Sequence, residues 1–506
     1  MNNLTRWPKV EDLREKLNGK AKAKPEFRFY TLHDKVYRMD FLEAAYEHCR
    51  KNDGSPGVDG ETFEDIEKYG VSRYLAELGD EVKEQRYKPG PVKRVMIEKE
   101  NQPGKYRPLG IPTIRDRIVQ QAVKLLLDPI FEADLPDNAY GYRAGRSALD
   151  AVNAVDGALR TGYVDVVDAD LSKYFDTIPH DELMKSVERR IADHKMLWLI
   201  RQWLKVPVHE TQKNGKIAIS GGKKTKQGTP QGGVISPLLA NIYFRRFLCA
   251  WEEHGLYEKY KCRIVNYADD FVILSRGHAK EAHQAARRIL TIIGLTLNET
   301  KTRIVRAWKK PFNFLGYTFG KLYSKEGREY LGNRVSNKNI QKYRESIHEL
   351  TERDQTYRSV EKVTVALNQT TQGFWNYFRH GTGSKIARDL DDYVWERMRK
   401  WAKSKYKRSR KRQGDKAAGR AARKEKIKAA TRLLVKGRAI LRKYNGGRMY
   451  ANAASYAKGG LEGEPDAGNP PVRFGKREKK TEASGPPRLL STSSVCGQCV
   501  RSPNFN

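Results

Sequence analysis

Two carboxylates stand side by side in Asn266-Tyr267-Ala268-Asp269-Asp270-Phe271-Val272. The flanking runs, Arg263 to Ala268 and Phe271 to Ser275, read as apolar strands around a two-residue turn. A turn of that length ordinarily takes Asn-Gly or Asp-Gly, and two adjacent like charges repel. The arrangement becomes favourable when a divalent cation sits at the tip, because hard oxygen donors are what Mg²⁺ takes. An Asp-Asp dipeptide alone is weak evidence, since Asp391-Asp392 lies within a predicted helix and reads as a solvated pair. Between two buried strands, Asp269-Asp270 points to metal-dependent chemistry.

Two metal ions need a further acid. Tyr163 to Asp170 reads as a buried strand rich in carboxylates (Asp165, Asp168 and Asp170), followed by Leu171-Ser172-Lys173-Tyr174-Phe175-Asp176. If this strand neighbours the Asp269-Asp270 turn, Asp170 completes the set. Two Mg²⁺ ions held there would activate a 3′-hydroxyl and stabilise a leaving pyrophosphate. Asp165 and Asp168 either share Asp170's face or are structural, and Asp176 reads as a cap or turn residue.

The elements that must position these residues alternate irregularly. Residues 1–90 are charged and mostly helix-like, broken by the loop Asn52-Asp53-Gly54-Ser55-Pro56-Gly57. Val92 to Ile97 and Leu109 to Ile111 read as short strands. Helical spacing runs from Thr113 to Leu135, Ser147 caps a helix reaching about Arg160, and Ala279 to Ile293 forms another. This favours an α+β fold over a doubly wound parallel sheet. After about residue 335 the strands stop. Three amphipathic helices then follow, carrying Ile340, Tyr343, Ile347 and Leu350, then Val363, Leu367, Phe374 and Phe378, then Ile386, Leu390, Val394, Met398 and Trp401: a small bundle.

Charge narrows the partner. The 506 residues carry 97 Lys and Arg against 61 Asp and Glu, a net charge of +36, which suits a polyanion, nucleic acid first. From Lys400 to Arg448 there are 20 basic residues and two acids, Asp415 and Glu425. Within it, Lys403, Lys405, Lys407, Arg408, Arg410, Lys411 and Arg412 form a candidate phosphate-binding run, with Tyr406 and Tyr444 available for stacking. The other reading of this stretch is a solvated basic face or a disordered arm. Beyond about residue 449 the Gly-, Pro- and Ser-rich composition predicts disorder. A mean hydropathy of −0.75 and the absence of a long apolar run argue against a membrane span. No signal peptide is visible, and five scattered cysteines argue against a disulfide-stapled fold. An intracellular, reducing compartment such as the cytoplasm is expected.

Further motifs accompany the acids in a fixed order: Asn52 to Gly60 (NDGSPGVDG), Lys105 to Pro112 (KYRPLGIP), Tyr140 to Ser147 (YGYRAGRS), Gln227 to Asn241 (QGTPQGGVISPLLAN), Phe314-Leu315-Gly316-Tyr317, and Gly373 to Arg379 (GFWNYFR). Together they closely resemble the reverse transcriptases, or maturases, encoded by group II introns, over roughly residues 30–400. The resemblance implies a right-hand polymerase: fingers, a palm with an antiparallel sheet, a helical thumb, then a basic, partly disordered C-terminal tail. The implied divisions are 1–335 for fingers and palm, 336–402 for thumb and maturase region, 403–448 for a basic nucleic-acid-binding segment, and 449–506 for the tail.

By the same resemblance, Asp170, Asp269 and Asp270 would hold two Mg²⁺ ions in the palm. Lys99, Lys105 and Arg107 would grip the triphosphate of a dNTP, though each also reads as part of an ordinary basic loop. Phe175 would stack under the deoxyribose and exclude a 2′-hydroxyl. Gln231 and Gly232 would border the nucleotide, and Phe314 to Gly316 would support the primer end. Lys301 matches a lysine placed to protonate pyrophosphate, and reads otherwise as a surface lysine. The implied partners are an RNA template, its own intron RNA above all, a DNA primer or target, and dNTPs, with no membrane. Many relatives end in a zinc-bearing nuclease. Here Cys496 and Cys499 form a single pair with no later histidine, half of a tetrahedral site, so no nuclease is expected.

Two other readings share these residues: an RNA-binding splicing factor with a vestigial polymerase, and a reverse transcriptase adopted by its host for defence or DNA repair. The intact carboxylates weigh against the first. An RNA-templated RNA polymerase is disfavoured by Phe175 and by Ala268 before the Asp pair. Neutralising the basic run Lys403 to Arg412 should weaken RNA binding and flatten its salt dependence, the slope falling by roughly 0.7–0.9 for each phosphate no longer neutralised. An unchanged slope in a salt titration would show that the run does not touch RNA.

Overall fold

The computed structural model describes residues 6–98, 104, 106–212, 214–324, 326–381, 383–406 and 416–440. Lys99, Lys105, Lys407, Arg408, Arg410, Lys411, Arg412, Tyr444, Cys496, Cys499 and the tail expected from 449 lie outside the described residues.

At the centre is the helix Ile114–Glu132. Its apolar residues Ile118, Val119, Ala122, Val123, Leu125, Leu126, Leu127 and Ile130 point in every direction and are all buried, the pattern of a helix enclosed on all sides. Thr113 caps it by accepting the Asp116 amide hydrogen. The N-terminal helices Pro8–Ala23, Met39–Asn52 and Val71–Lys83 belong to the same core. Beside them lies a four-stranded sheet. Val92–Glu98 pairs antiparallel with Tyr106–Ile111 and parallel with Pro207–Thr211, which pairs with Ile217–Gly221. The last two strands are additions to the elements expected from the sequence.

A second four-stranded sheet carries the acids. Its order is Cys262–Tyr267, Asp270–Ser275, Asp165–Asp170, Arg303–Arg306, and every pairing is antiparallel. Alternation along the strands divides its side chains between two cores. Val167, Ala169, Phe271, Ile273 and Ile264 pack with the helix Ser236–Glu253. Val166, Val272, Leu274, Val265 and Val305 pack with the helix Ala148–Arg160 and with the sheet of Phe312–Phe314, Tyr317–Tyr323 and Glu329–Val335. Burial on both faces is why these strands read as continuous apolar runs.

The helical bundle follows as predicted: Asn337–Leu350 capped by Ser336, Val360–Tyr377 capped by Ser359, and Ser384–Lys405. They share a core containing Ile347, Leu367, Trp375, Leu390, Met398 and Trp401. One helix is added to the expected elements, and the expectation for Asp391 needs correction. The basic stretch contains a helix, Lys416–Arg432, that packs on the bundle through Ile427 and Ala430. Asp391 is not solvated: its carboxylate accepts the Gly437 amide hydrogen at 2.6 Å and pairs with Arg438 Nε at 3.0 Å, leaving its side chain 6% exposed. Among the described residues no helix is long and apolar enough to cross a membrane.

The segment Asn138 to Gly141 lies along the outer edge of the Cys262–Tyr267 strand. Asn266 donates its amide hydrogen to the Asn138 carbonyl and accepts that of Tyr140, both at 2.9 Å. Asn241 Nδ2 donates to the Gly141 carbonyl at 2.7 Å. A Cβ at Gly141 would lie 2.4 Å from the Ala268 nitrogen, so Gly141→Ala should destabilise the fold by about 1–3 kcal/mol. Urea unfolding checks this, and an unshifted midpoint would refute the close approach.

Candidate active site

The acids meet at one end of the antiparallel sheet. Asp170 is directly opposite Asp270 on the neighbouring strand, and Asp270 is opposite Tyr267. The turn is therefore Ala268-Asp269, and Asp270 opens the second strand. This corrects the expectation that both carboxylates occupy the turn. Ala268 takes a left-handed conformation with φ 58°, and its carbonyl accepts from the buried Asn266 Nδ2 at 2.9 Å. Asp168, Asp170 and Asp270 fall by alternation on the same side as Val166 and Val272. Asp168 thus shares Asp170's face. Asp165 is structural, accepting the Gly277 amide hydrogen at 3.0 Å at the far end of the sheet.

Burial pushes the Asp270 carboxyl up to about 7, with the charges of Asp269, Asp170 and Asp168 adding to the shift and Lys301 opposing it. Asp168 is pushed up to about 6 by burial, against the pull of Arg303 and with a contribution from Asp170. Lys301 lies among the acids, its Nζ 2.8 Å from Asp170 Oδ2. Asn298 Nδ2 donates to the same oxygen at 3.0 Å, and the Asn298 amide hydrogen to the Asp170 carbonyl at 2.8 Å. Asn298 has no signal in the sequence because it lies 128 residues from the acid it holds.

Among the described residues no three or more His, Cys, Asp or Glu side chains form a metal-holding cluster. In kind, the donors at the turn still suit a hard divalent ion. They are carboxylates, two of them face each other across one strand pair, and Asp270 bears a like-charge penalty that an added cation relieves.

Phe175, in the helical turn Tyr174–Thr177, is 8% exposed and meets Tyr142 edge to face at 6.4 Å between ring centroids. Arg107 is exposed on the Tyr106–Ile111 strand. It and Asp269 act in opposite directions on the Tyr142 phenol, which burial raises first. Tyr142 thus packs on Phe175, a contact that its motif did not reveal. Gln231 Nε2 donates to both oxygens of Asp176 at 3.2 and 3.3 Å, so Asp176 anchors the glutamine in addition to sitting in a turn. Gly232 has φ 108°, and a Cβ there would lie 2.2 Å from the Gly110 carbonyl. This close backbone approach joins the two segments. In the basic run, Lys403 is exposed. Lys405 is half-buried and donates to the carbonyls of Thr356 at 2.9 Å and Arg358 at 2.6 Å.

Asp270 has a folded pKa of about 7 against an ordinary value of 3.8. Its charge costs stability once the pH passes the ordinary value, with the full cost above 7 and none below both. In a metal-free buffer Asp270→Asn should therefore stabilise the protein at pH 8 by on the order of 1–3 kcal/mol. That gain should fade as the pH falls towards 4. Equal unfolding midpoints at pH 8 would contradict the burial argument.

Residues 97–319 match the family described as reverse transcriptase (RNA-dependent DNA polymerase), and residues 340–418 match the group II intron, maturase-specific domain. Protein YkfC of Escherichia coli (strain K12) is 32% identical over 366 residues, 63% of this chain and 90% of that protein. Group II intron-encoded protein LtrA of Lactococcus lactis subsp. cremoris is 33% identical over 234 residues, covering 45% of this chain and 36% of that one. The putative COX1/OXI3 intron 1 protein of Saccharomyces cerevisiae is 28% identical over 332 residues, covering 55% and 38% respectively. The chain thus spans little more than a third of the two intron-encoded relatives. With a reverse transcriptase domain of right-hand polymerase fold followed by a maturase domain, this chain belongs to the group II intron-encoded reverse transcriptase/maturase family.

Proposed function

We propose that this chain is an RNA-directed DNA polymerase that adds dNTPs to a primer 3′-hydroxyl on an RNA template. On this reading it also binds its own intron RNA to assist splicing and mobility, in the bacterial cytoplasm or nucleoid. The observation that carries the reading is the opposition of Asp170 and Asp270 across two strands, with Asp269 next in the turn.

In each step the primer 3′-hydroxyl releases its proton to water, its oxygen bonds to the α-phosphorus of the dNTP, and the bond from that phosphorus to the leaving pyrophosphate oxygen breaks. Two Mg²⁺ ions held by Asp170, Asp269 and Asp270 would supply the positive charge that lowers the 3′-hydroxyl pKa and offsets charge on the leaving group. Phe175, packed against Tyr142 and Tyr174, has little freedom to yield to a 2′-hydroxyl beneath the sugar. Gln231, tethered by Asp176, and Gly232 border the base and sugar. Arg107 takes the triphosphate from the fingers with Lys99 and Lys105. Lys301, whose ammonium lies on Asp170, gives the pyrophosphate a proton as it leaves.

Primer extension on an RNA template with Mg²⁺ tests the reading, with dNTPs and rNTPs run in parallel. Extension with dNTPs alone is expected, and Asp269→Ala with Asp270→Ala should reduce it at least a thousandfold while RNA affinity stays within about twofold of wild type. A folded, RNA-binding wild type that extends nothing would instead mark a splicing factor that keeps the palm as scaffold.

A further inference from the structure

His180 takes no part in the chemistry above, yet it is 4% exposed and lies at the start of the helix His180–Glu188. Its Nε2 is 2.7 Å from the Gly228 carbonyl, so the proton is on Nε2, since a carbonyl only accepts. Its amide hydrogen goes to the Lys226 carbonyl at 2.8 Å. Nδ1 is buried and, among the described residues, makes no hydrogen bond. Burial lowers the imidazole pKa, against the carbonyls of Gly228 and Thr225 and the charge of Asp181, with Lys205 adding to the lowering.

The imidazole is one rung of a ladder between two segments that border the candidate nucleotide pocket. The Gly228 amide hydrogen goes to the Ile178 carbonyl at 2.8 Å, and that of Thr229 to the Phe175 carbonyl at 2.6 Å. Gln231 reaches back to Asp176. Gly228, at φ 96°, faces the Asp176 carbonyl so closely that a Cβ would lie 3.1 Å from it. The ladder runs from the Phe175 turn to the Gln231 loop, and His180 supplies its one imidazole.

We propose that His180 is a positioning residue: by holding the Gly228 carbonyl it keeps the Gln231–Gly232 loop and the Phe175 ring in register, and so sets nucleotide affinity and the preference for dNTPs over rNTPs. The inference rests on the polymerase reading. The side chain touches no substrate and acts only through these two segments. A donor at the Nε2 position is what the function requires, because the acceptor is a backbone carbonyl that no substitution removes.

Steady-state primer extension by the full chain tests this with His180→Gln, which keeps a donor near the Nε2 position, and with His180→Leu and His180→Asn, which do not. The Leu and Asn variants should raise KM for dNTP about two- to tenfold, the equivalent of one hydrogen bond. They should change kcat less and narrow the dNTP-to-rNTP ratio, while the Gln variant restores both. Thermal melts separate this from unfolding, and the shorter Asn variant serves if the Leu variant does not fold. Folded Leu and Asn variants with wild-type KM and wild-type sugar preference would overturn the inference and leave the polymerase intact. Absence of extension by wild type itself would overturn the polymerase reading, and this inference with it.

Discussion

Two carboxylates placed opposite each other across a strand pair repel, and the fold around them must hold that arrangement against its own electrostatics. Antiparallel neighbours directly opposite lie about 4.5–5.5 Å apart at Cα, so Asp170 and Asp270 cannot separate without breaking register. Register is in turn fixed by the apolar residues beneath. A one-residue slip would exchange Val272 and Leu274 for Phe271 and Ile273 between the two cores, reversing every buried side chain. The double burial of the sheet thus has a chemical consequence. It keeps the acids together at a pH where separation would relieve them, and Lys301 and Asn298, both on Asp170 Oδ2, offset part of the cost. A site preloaded in this way gains from any cation that enters it.

The same constraint explains where glycine is indispensable. Gly141 brings the Tyr142 loop against Ala268, and Gly232 brings the Gln231 loop against the carbonyl of Gly110. Each approach is backbone on backbone, at a distance where no Cβ fits. Through them the Tyr106–Ile111 strand bearing Arg107, the Phe175 turn and the Asp269 turn become one surface. The ladder from His180 to Gln231 then sets that surface in register along its second side.

Much of this is legible in the sequence because the signals are local. A two-residue turn between apolar runs is visible at the Asp pair, though placed one residue late, Ser147 and Ser336 cap helices, and the bundle helices show their faces in their spacing. What is not legible depends on bonds between distant residues. Asn298 acts on Asp170, Asp176 on Gln231 and Asp391 on Gly437, each across more than 40 residues, and no periodicity encodes such a pairing. The hairpin of Pro207–Thr211 and Ile217–Gly221 is an intermediate case. It turns at Asn214-Gly215, a familiar hairpin signal, but its five-residue strands are short and bury no face, Ile217 and Ile219 being exposed.

The bundle's placement follows from a joint of a few residues. Leu315 and Gly316 both adopt left-handed backbone, at φ 47° and 81°, turning the chain between the Phe312–Phe314 and Tyr317–Tyr323 strands. The Gly316 carbonyl accepts from Asn339 Nδ2 and from the Ser336 amide, both at 3.0 Å, and the Leu315 carbonyl from the Tyr377 hydroxyl at 2.9 Å. Tyr317 returns a bond to the Tyr377 carbonyl at 2.6 Å. The bundle has its own core, and Ile340 and Phe374 pack against both that core and the palm's. Two helices, Asn337–Leu350 and Val360–Tyr377, are therefore tied to the palm by this turn, by Ile340 and Phe374, and by Tyr377 and Phe378, whose rings meet Tyr317 in the palm's core. The acids lie in a sheet buried on both faces, whereas the bundle meets that sheet's core through this joint. The placement of the acids and that of the bundle thus have separate causes: the first depends on sheet register, the second on the turn at Leu315-Gly316 and the aromatic contacts around Tyr317.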